Sequence, residues 1–158
     1  MADSSAKLRI ALGADHAGFQ VKESIKSYLE SAGHTVDDVG TESEESVDYP
    51  DFAREASNRV ANGQDDLGIL VCGTGIGMTI AANKVAGIRA ALAQDPATAR
   101  LAREHNNANV LAVGGRLLSG EKAVEIVREF LAAEFAGGRH ERRVNKIAQL
   151  DGERKSKT

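Results

Sequence analysis

The stretch Gly68-Ile69-Leu70-Val71-Cys72-Gly73-Thr74-Gly75-Ile76-Gly77-Met78 joins a short apolar run to three glycines that alternate with other residues. An apolar run bounded by turn signals is typical of a strand buried inside a parallel sheet. The segment 78–84 that follows predicts a helix. Glycines let the backbone turn tightly and approach a ligand, and the N–H groups that open a helix point at that ligand. The stretch therefore predicts a strand, a turn that can face a ligand, and a helix.

Cys72 is the only cysteine of the chain and stands where the strand meets the turn. The positive end of a helix favours the thiolate form of a nearby thiol, and free N–H groups can hold an oxyanion. The alternative is an inert cysteine beside glycines that serve only a tight turn, since cysteine is often buried. The stretch alone leaves both interpretations open.

The composition narrows the class of protein. A length of 158 residues suits one domain with a three-layer core. The net charge of −3 and the 4% aromatic content argue against a nucleic-acid surface. No apolar run approaches membrane-spanning length, and the polar first residues lack the apolar core of a signal peptide. Because one cysteine allows no internal disulfide and no Cys/His cluster has zinc spacing, we expect a soluble cytoplasmic protein without a metal.

Apolar segments alternate with segments of helical periodicity along the chain. The predicted strands are Leu8–Gly13, His34–Val39, Gly68–Cys72, Ile88–Ala93 and Val110–Gly115. The predicted helices are one that ends at Gly33, then Asp48 to Gly63, residues 78–84, Asp95 to His105, Ser119 or Gly120 to Gly137, and Val144–Leu150. The long acidic loop from Gly40 to Asp48 suggests a lid or an interface flap. Residues 7–150 form one predicted domain, with disordered tails at 1–6 and 151–158.

Strands that alternate with helices predict parallel βαβ units joined by right-handed crossovers. We expect an α/β fold: a three-layer, Rossmann-like, five-stranded parallel sheet in the flavodoxin-like order 2-1-3-4-5, with a C-terminal helical extension. Its switch point, where ligands bind in such sheets, lies between the first and third strands. This places the segment 13–16 beside Cys72 and Gly73 at the carboxyl ends of the strands. The convergence of two unusual loops favours a functional site over an inert cysteine.

Common ligand-binding motifs do not fit the spacing. The glycines after Cys72 do not form the dinucleotide-binding pattern, and they follow the third strand rather than the first. The segment 13–18 has the outer glycines of a P-loop, but Phe19-Gln20 stands where Lys-Ser/Thr is needed. A cysteine phosphatase loop would need an arginine where Met78 stands, and a phospho-receiver domain would carry an aspartate at position 72.

Several polar side chains outside the glycine turn could still carry chemistry. Arg139 and Arg143 are four residues apart, so they share a face if their segment is helical. Paired guanidiniums suit phosphate oxygens, although a solvated basic turn is the alternative. For His105, capping a helix C-terminus is an alternative to catalysis. His140 and Arg142 receive no functional assignment from the sequence.

The chain resembles the ribose-5-phosphate isomerase B family, within the wider group that includes galactose-6-phosphate isomerase subunits. The matching segments extend over nearly the whole chain in family order. They are Gly13-x-Asp15-His16-x-Gly18, Asp48-Tyr49-Pro50, Cys72-Gly73-Thr74-Gly75-Ile76-Gly77, Ala81-Ala82-Asn83-Lys84, Gly87-Ile88-Arg89-Ala90, His105-Asn106, Asn109-Val110-Leu111-Ala112 and Gly138-Arg139-His140-x-x-Arg143.

The resemblance implies a cofactor-free aldose–ketose isomerisation. Cys72 would move a proton between C1 and C2 of the sugar through an enediolate. His105 would act as acid and base in opening the sugar ring, with Thr74 nearby. Another branch of the family uses a glutamate a few residues later, but residues 78–80 are Met, Thr and Ile here, which leaves Cys72 as the candidate base.

The resemblance also implies which groups bind the substrate. Backbone N–H groups would hold the enediolate oxygen, a strong form of transition-state stabilisation. These N–H groups belong to the turn formed by Gly73, Thr74, Gly75, Ile76 and Gly77. Sugar hydroxyls would contact Asp15 and Asn106, and the phosphate would contact His16, Arg116, Arg139 and Arg143.

The implied substrates are D-ribose 5-phosphate and D-ribulose 5-phosphate of the pentose phosphate pathway. The alternatives are the same reaction on a tetrulose phosphate, allose 6-phosphate or galactose 6-phosphate, or a phospho-ligand sensor without chemistry. We expect no nucleic-acid or membrane partner.

We also expect a homodimer, alone or as a dimer of dimers. In a βαβ sheet the helix from Pro96 to His105 runs antiparallel to the strands, so it ends at the edge opposite Cys72. A five-residue strand separates the two edges by about 16 Å. The helix predicted to end near Gly137 would carry Arg139 and Arg143 to that far edge as well. Each active site is therefore expected to be shared between two subunits.

Overall fold

Five parallel strands form the central sheet of the protein. The computed structural model describes residues 6–156. The strands are β1 (Arg9–Ala14), β2 (Thr35–Gly40), β3 (Leu67–Cys72), β4 (Ala90–Leu92) and β5 (Val110–Gly114). The helices are α1 (Phe19–Ser31), α2 (Tyr49–Ala61), α3 (Ile76–Ala82), α4 (Pro96–Asn106), α5 (Gly120–Ala132) and α6 (Arg139–Ser156). The predicted α/β class and the five-stranded parallel sheet are confirmed.

Helices cover both faces of the sheet, because side chains of each strand point alternately to either side. Ile10 and Leu12 of β1 pack with the buried side chains of α1, α4 and α5. Ala11 of the same strand packs with those of α2 and α3. The predicted three layers are confirmed. Among residues 6–156, no helix combines the length and apolar character needed to cross a membrane.

The strand order is β2-β1-β3-β5-β4, so the predicted order 2-1-3-4-5 is wrong at its last two positions. The strand β4 has three half-buried residues, whereas all five residues of β5 are buried. A strand buried on both faces belongs inside a parallel sheet, and the short, partly exposed strand takes the edge. This exchange pairs Cys72 with Gly114, so the turn after β5 lies beside the candidate base.

The C-terminal helices differ from the predicted bounds. Ser119 caps α5, because its side-chain oxygen accepts a hydrogen bond from the Lys122 N–H at 3.1 Å. However, α5 ends at Ala132, five residues before the predicted Gly137. The last helix, α6, starts at Arg139 and includes residues 151–156, which the sequence analysis assigned to a tail. The predicted C-terminal helical extension is therefore present, and it is longer than 144–150.

Candidate active site

Three loops meet where β1, β3 and β5 end. The strand register pairs Ala14 with Val71, and Cys72 with Gly114. Hydrogen bonds tie the turn after β5 to β3 and the turn that follows it, because the Gly115 N–H donates to the Cys72 carbonyl at 2.7 Å and the Arg116 N–H donates to the Gly73 carbonyl at 3.0 Å. The expected meeting of the loops after β1 and β3 at the switch point is confirmed. The third loop brings Arg116 to the same place.

The thiol of Cys72 lies at the end of β3 and is 4% exposed. The Gly75 N–H donates to its Sγ at 3.2 Å, so a backbone amide faces the sulfur. Gly75 has a φ of +81°, a left-handed conformation that favours glycine. A Cβ there would also stand 2.6 Å from Leu92 Cδ1. The turn therefore needs glycine at this position to hold its amide on the sulfur.

A cleft of about 480 Å³ opens above this turn. Its lining combines eight predicted site residues with three residues that were not assigned to a site from the sequence. The lining residues are Asp15, His16, Ala17, Tyr49, Cys72, Gly73, Thr74, Ile76, Gly77, Ile80 and Arg116. Gly75 shapes the turn behind the cleft without lining it. The structure thus brings together nine of the predicted site residues.

Asp15 and His16 are fixed by backbone hydrogen bonds. The carboxylate of Asp15, 6% exposed, accepts the Gly18 N–H at 3.1 Å. The ring of His16 accepts the Val47 N–H on Nδ1 at 3.1 Å, so a neutral imidazole carries its hydrogen on Nε2. The acidic loop 41–48 therefore orients a cleft residue, which gives that long loop a defined structural role.

Tyr49 is one of the three lining residues, with Ala17 and Ile80, that the sequence did not assign to a site. The sequence placed it only within the helix predicted from Asp48 to Gly63, although it belongs to the matching segment Asp48-Tyr49-Pro50. Its ring lies against Gly77, where an added Cβ would stand 2.5 Å from Cε1. The tyrosine is 38% exposed and forms one wall of the cleft. Its position in that segment was the available signal.

The other predicted site residues lie at the opposite edge of the sheet. The helix α4 ends at Asn106, shortly before Val110 begins β5, and Val110 pairs with Gly68. Gly68 precedes Cys72 by four residues, so the end of α4 and Cys72 lie about 13 Å apart along the strand direction. Arg139 and Arg143 follow on α6, whose first turn contacts the end of α4. The structure does not bring His105, Asn106, Arg139 or Arg143 to the cleft of the same chain.

Two arginines hold the end of α4 in place. Arg103 Nη1 donates to the Ala108 carbonyl at 2.6 Å, and Arg89 Nε donates to the Asn107 carbonyl at 2.7 Å. Asn107 itself has a φ of +48° and ends the helix in a left-handed conformation. Burial lowers the pKa of both guanidiniums, and the positive charge of Arg89 further lowers the pKa of Arg103. These contacts fix the position of the His105-Asn106 pair.

The ring of His105 stacks on that of His140, with centroids 4.3 Å apart and planes inclined by 11°. Loss of water contact lowers the pKa of His140, and the neighbouring His105, Arg139 and Arg143 lower it further. Within residues 6–153, no carboxylate oxygen lies within 4.0 Å of Arg139 or Arg143. We call this edge of the subunit, which carries His105, Asn106, Arg139 and Arg143, the positive edge. The charge of its arginines is available to bind an anion.

Comparisons with known proteins show what the chain is similar to. The family model described as Ribose/Galactose Isomerase matches residues 10–147. The chain is 47% identical to ribose-5-phosphate isomerase B of Escherichia coli over 146 residues, covering 92% of this chain and 98% of that protein. It is 48% identical to galactose-6-phosphate isomerase subunit LacB of Clostridium acetobutylicum over 126 residues, covering 80% and 73%. The crystal structure of ribose-5-phosphate isomerase B from Mycoplasma genitalium with bound ribulose-5-phosphate superposes with a TM-score of 0.88 at 44% identity, covering 92% and 97%.

Proposed function

The chain belongs to the ribose/galactose isomerase family, and from that premise we propose that it interconverts D-ribose 5-phosphate and D-ribulose 5-phosphate. One observation carries the proposal: the cleft holds a buried thiol whose sulfur accepts a backbone N–H. A donor that faces the sulfur favours the thiolate form, and the thiolate is the form of cysteine that can take a proton. Because Cys72 is the single free cysteine, we also propose that the enzyme acts in a reducing compartment, the cytoplasm.

The proposed reaction moves one proton and needs no external oxidant. The Cys72 thiolate takes the proton from C2 of the open-chain aldose, and the electron pair forms the C1–C2 double bond of an enediolate. The thiol then returns a proton to C1, while the hydroxyl proton moves from O2 to O1 and the ketone forms at C2. Backbone N–H groups of residues 73–77 would stabilise the charged oxygen. Asp15 and Thr74 line the same cleft and would contact sugar hydroxyls.

We propose that two subunits share each site. Proton transfer needs heavy atoms about 3 Å apart, whereas His105 lies at the far edge of its own sheet. Exposed apolar side chains support contact with a second copy. Ile76 and Ile80 beside the cleft are 50% and 59% exposed, and Ile147 and Leu150 on α6 are 44% and 55% exposed. A two-fold homodimer would bring the positive edge of one subunit to the cleft of the other.

The proposed phosphate site uses groups from both edges. Arg116 and His16 line the cleft, and Arg139 and Arg143 would approach from the partner. Guanidiniums suit phosphate because their planar N–H groups can bind two oxygens at once. His105 and Asn106, which also lie at the positive edge, would reach the sugar from the same side.

A substrate panel tests the proposed function. We expect turnover of ribose 5-phosphate to exceed that of four-carbon and six-carbon aldose phosphates. A six-carbon substrate is the second candidate, because one relative is a galactose-6-phosphate isomerase subunit. Higher turnover of galactose 6-phosphate or allose 6-phosphate would replace the five-carbon assignment. The same sugar phosphates are also incubated with the protein in D₂O. If none of them takes up deuterium from the solvent, the protein would instead be a phospho-ligand sensor without chemistry.

The matched variant for this test is Cys72→Ala. Its turnover should fall below a tenth of wild type, because the substitution removes the proposed base. Its circular dichroism spectrum and melting temperature should change little, because only one buried sulfur is removed and the turn stays intact. A Cys72→Ala enzyme that keeps more than a tenth of the activity would show that another group is the base.

A further inference from the structure

The proposed function leaves His140 without a role, although it makes the closest ring contact at the positive edge. Its ring lies 4.3 Å from that of His105, and the two planes are nearly parallel. His140 is half-buried, whereas Arg139, Glu141 and Arg142 around it are exposed. The contact therefore singles out one residue of the first turn of α6.

Backbone contacts on both sides of α6 build this stack. The Ala136 N–H donates to the carbonyl of Glu104 at 2.9 Å, which pins the segment after α5 against the last turn of α4. Gly137 and Gly138 then turn the chain with φ values of +66° and +56°. Near the other end of α6, Asp151 Oδ2 accepts the Gly87 N–H at 2.8 Å. These two anchors fix the direction of α6 and thus the place of His140.

The stacked ring is neutral near pH 7. Loss of water contact and the positive neighbours lower the pKa of His140, so this imidazole offers a flat, uncharged face. A neutral ring can stack on an imidazole that gains and loses a proton without adding a second positive charge beside it. Aromatic pairs at this spacing stabilise one relative orientation of the two rings.

We propose that His140 is a positioning residue that holds the ring plane of His105 for opening of the sugar ring, an inference that rests on the proposed function. Ring opening breaks the bond between C1 and the ring oxygen O4. The hydroxyl proton leaves O1 as the C1 carbonyl forms, and O4 receives a proton. An imidazole can perform both transfers only if its nitrogens lie within about 3 Å of these oxygens, so its orientation controls this step.

The two substrates separate ring opening from proton transfer at carbon. Ribose 5-phosphate closes a five-membered ring through O4. Ribulose 5-phosphate stays open, because its O5 carries the phosphate and no other hydroxyl can close a five- or six-membered ring. Exchange of the C1 hydrogen of ribulose 5-phosphate in D₂O therefore needs the base but no ring opening. Isomerisation that starts from ribose 5-phosphate needs both.

The experiment compares His140→Ala, His140→Phe and the control Arg142→Ala, an exposed neighbour with no assigned role. We expect His140→Ala to lower kcat/KM for ribose 5-phosphate by about two- to twelvefold, the range set by one aromatic pair. Exchange into ribulose 5-phosphate should stay at the wild-type rate. His140→Phe keeps a flat ring and should retain most of the activity, and Arg142→Ala should change neither rate. Proton NMR should show that the His105 ring resonances lose their ring-current shift in His140→Ala and keep one in His140→Phe.

Several results would overturn the inference. Equal losses of turnover and exchange in His140→Ala would place the defect outside ring opening. A His140→Phe enzyme as slow as His140→Ala would show that a ring nitrogen matters rather than the stacked face. Unchanged turnover in His140→Ala together with a lost ring-current shift would show that the stack has no kinetic role. If wild-type enzyme neither turns over ribose 5-phosphate nor exchanges ribulose 5-phosphate, the proposed function itself fails, whatever the variants do.

Discussion

Mixing two inactive variants measures whether one active site contains residues from two chains. Cys72→Ala damages the cleft edge of a subunit, and His105→Ala damages its positive edge. The strand register places these two edges of one subunit about 13 Å apart along the strand. Proton transfer requires a contact of about 3 Å. In a two-fold dimer, the cleft of one subunit would therefore be completed by the His105 of the other.

The two-fold symmetry of the dimer determines how much activity the mixture should regain. In a mixed dimer, one site combines both damaged edges and the other combines both intact edges. If a fraction x of the subunits carries Cys72→Ala, random pairing restores a fraction x(1 − x) of all sites. An equal mixture should thus regain about a quarter of the wild-type activity, and a one-to-three mixture about a fifth, from the symmetry of the interface alone. The curved dependence on x distinguishes pairing from a contaminating activity.

The assay follows ribulose 5-phosphate formation after the two variants have exchanged subunits, with exchange confirmed by mass spectrometry. Cys72→Ala mixed with Arg116→Ala is the matched control, because both changes lie at the same edge and every mixed site stays damaged. That pair should recover nothing. Absence of recovery in the first mixture, with mixed dimers present, would refute the shared site.

Two further predictions concern charge. Arg139→Ala or Arg143→Ala should raise the KM for ribose 5-phosphate by roughly 10- to 150-fold, because a charged hydrogen bond contributes about 1.5–3 kcal/mol; unchanged KM values in both variants would assign these side chains to the solvated surface. Lys22 is fully buried and its Nζ lies 2.7 Å from both oxygens of Asp38. Burial by itself would raise the pKa of Asp38, but the hydrogen bonds and charges of Lys22 and Lys26, together with a backbone N–H, outweigh it and lower the pKa below 3.8. In urea unfolding, wild type should exceed Asp38→Asn in stability by about 3–5 kcal/mol at pH 7. That difference should be complete above pH 3.8 and shrink as the pH falls through the lowered folded-state pKa; a constant difference down to pH 2 would contradict the assigned pair.

The residues around Cys72 illustrate what was predictable. Glycine spacing and the position of a thiol after an apolar run are local features, and they led to the turn and the switch point. The helix after the turn was also predicted, although it begins at Ile76 rather than at Met78. Tyr49 was missed, because a tyrosine at a helix start gives no indication of which neighbour its ring covers. The stack of His140 on His105 was missed for a similar reason. It depends on the turn at Gly137 and Gly138 and on the hydrogen bond from Ala136 to α4.

The sequence by itself determined the α/β class, the five strands and the alternation of helices with them, because periodicity and turn residues act within a few positions of the chain. It also determined that α4 ends at the edge opposite Cys72, since helices in parallel units run against the strands. Only the tertiary structure decided that β5 rather than β4 lies next to β3, and so that Arg116 lines the cleft. That choice depends on which strand can be buried on both faces. Burial of a strand is determined by packing against segments that are distant in the chain, so a local sequence pattern does not predict it.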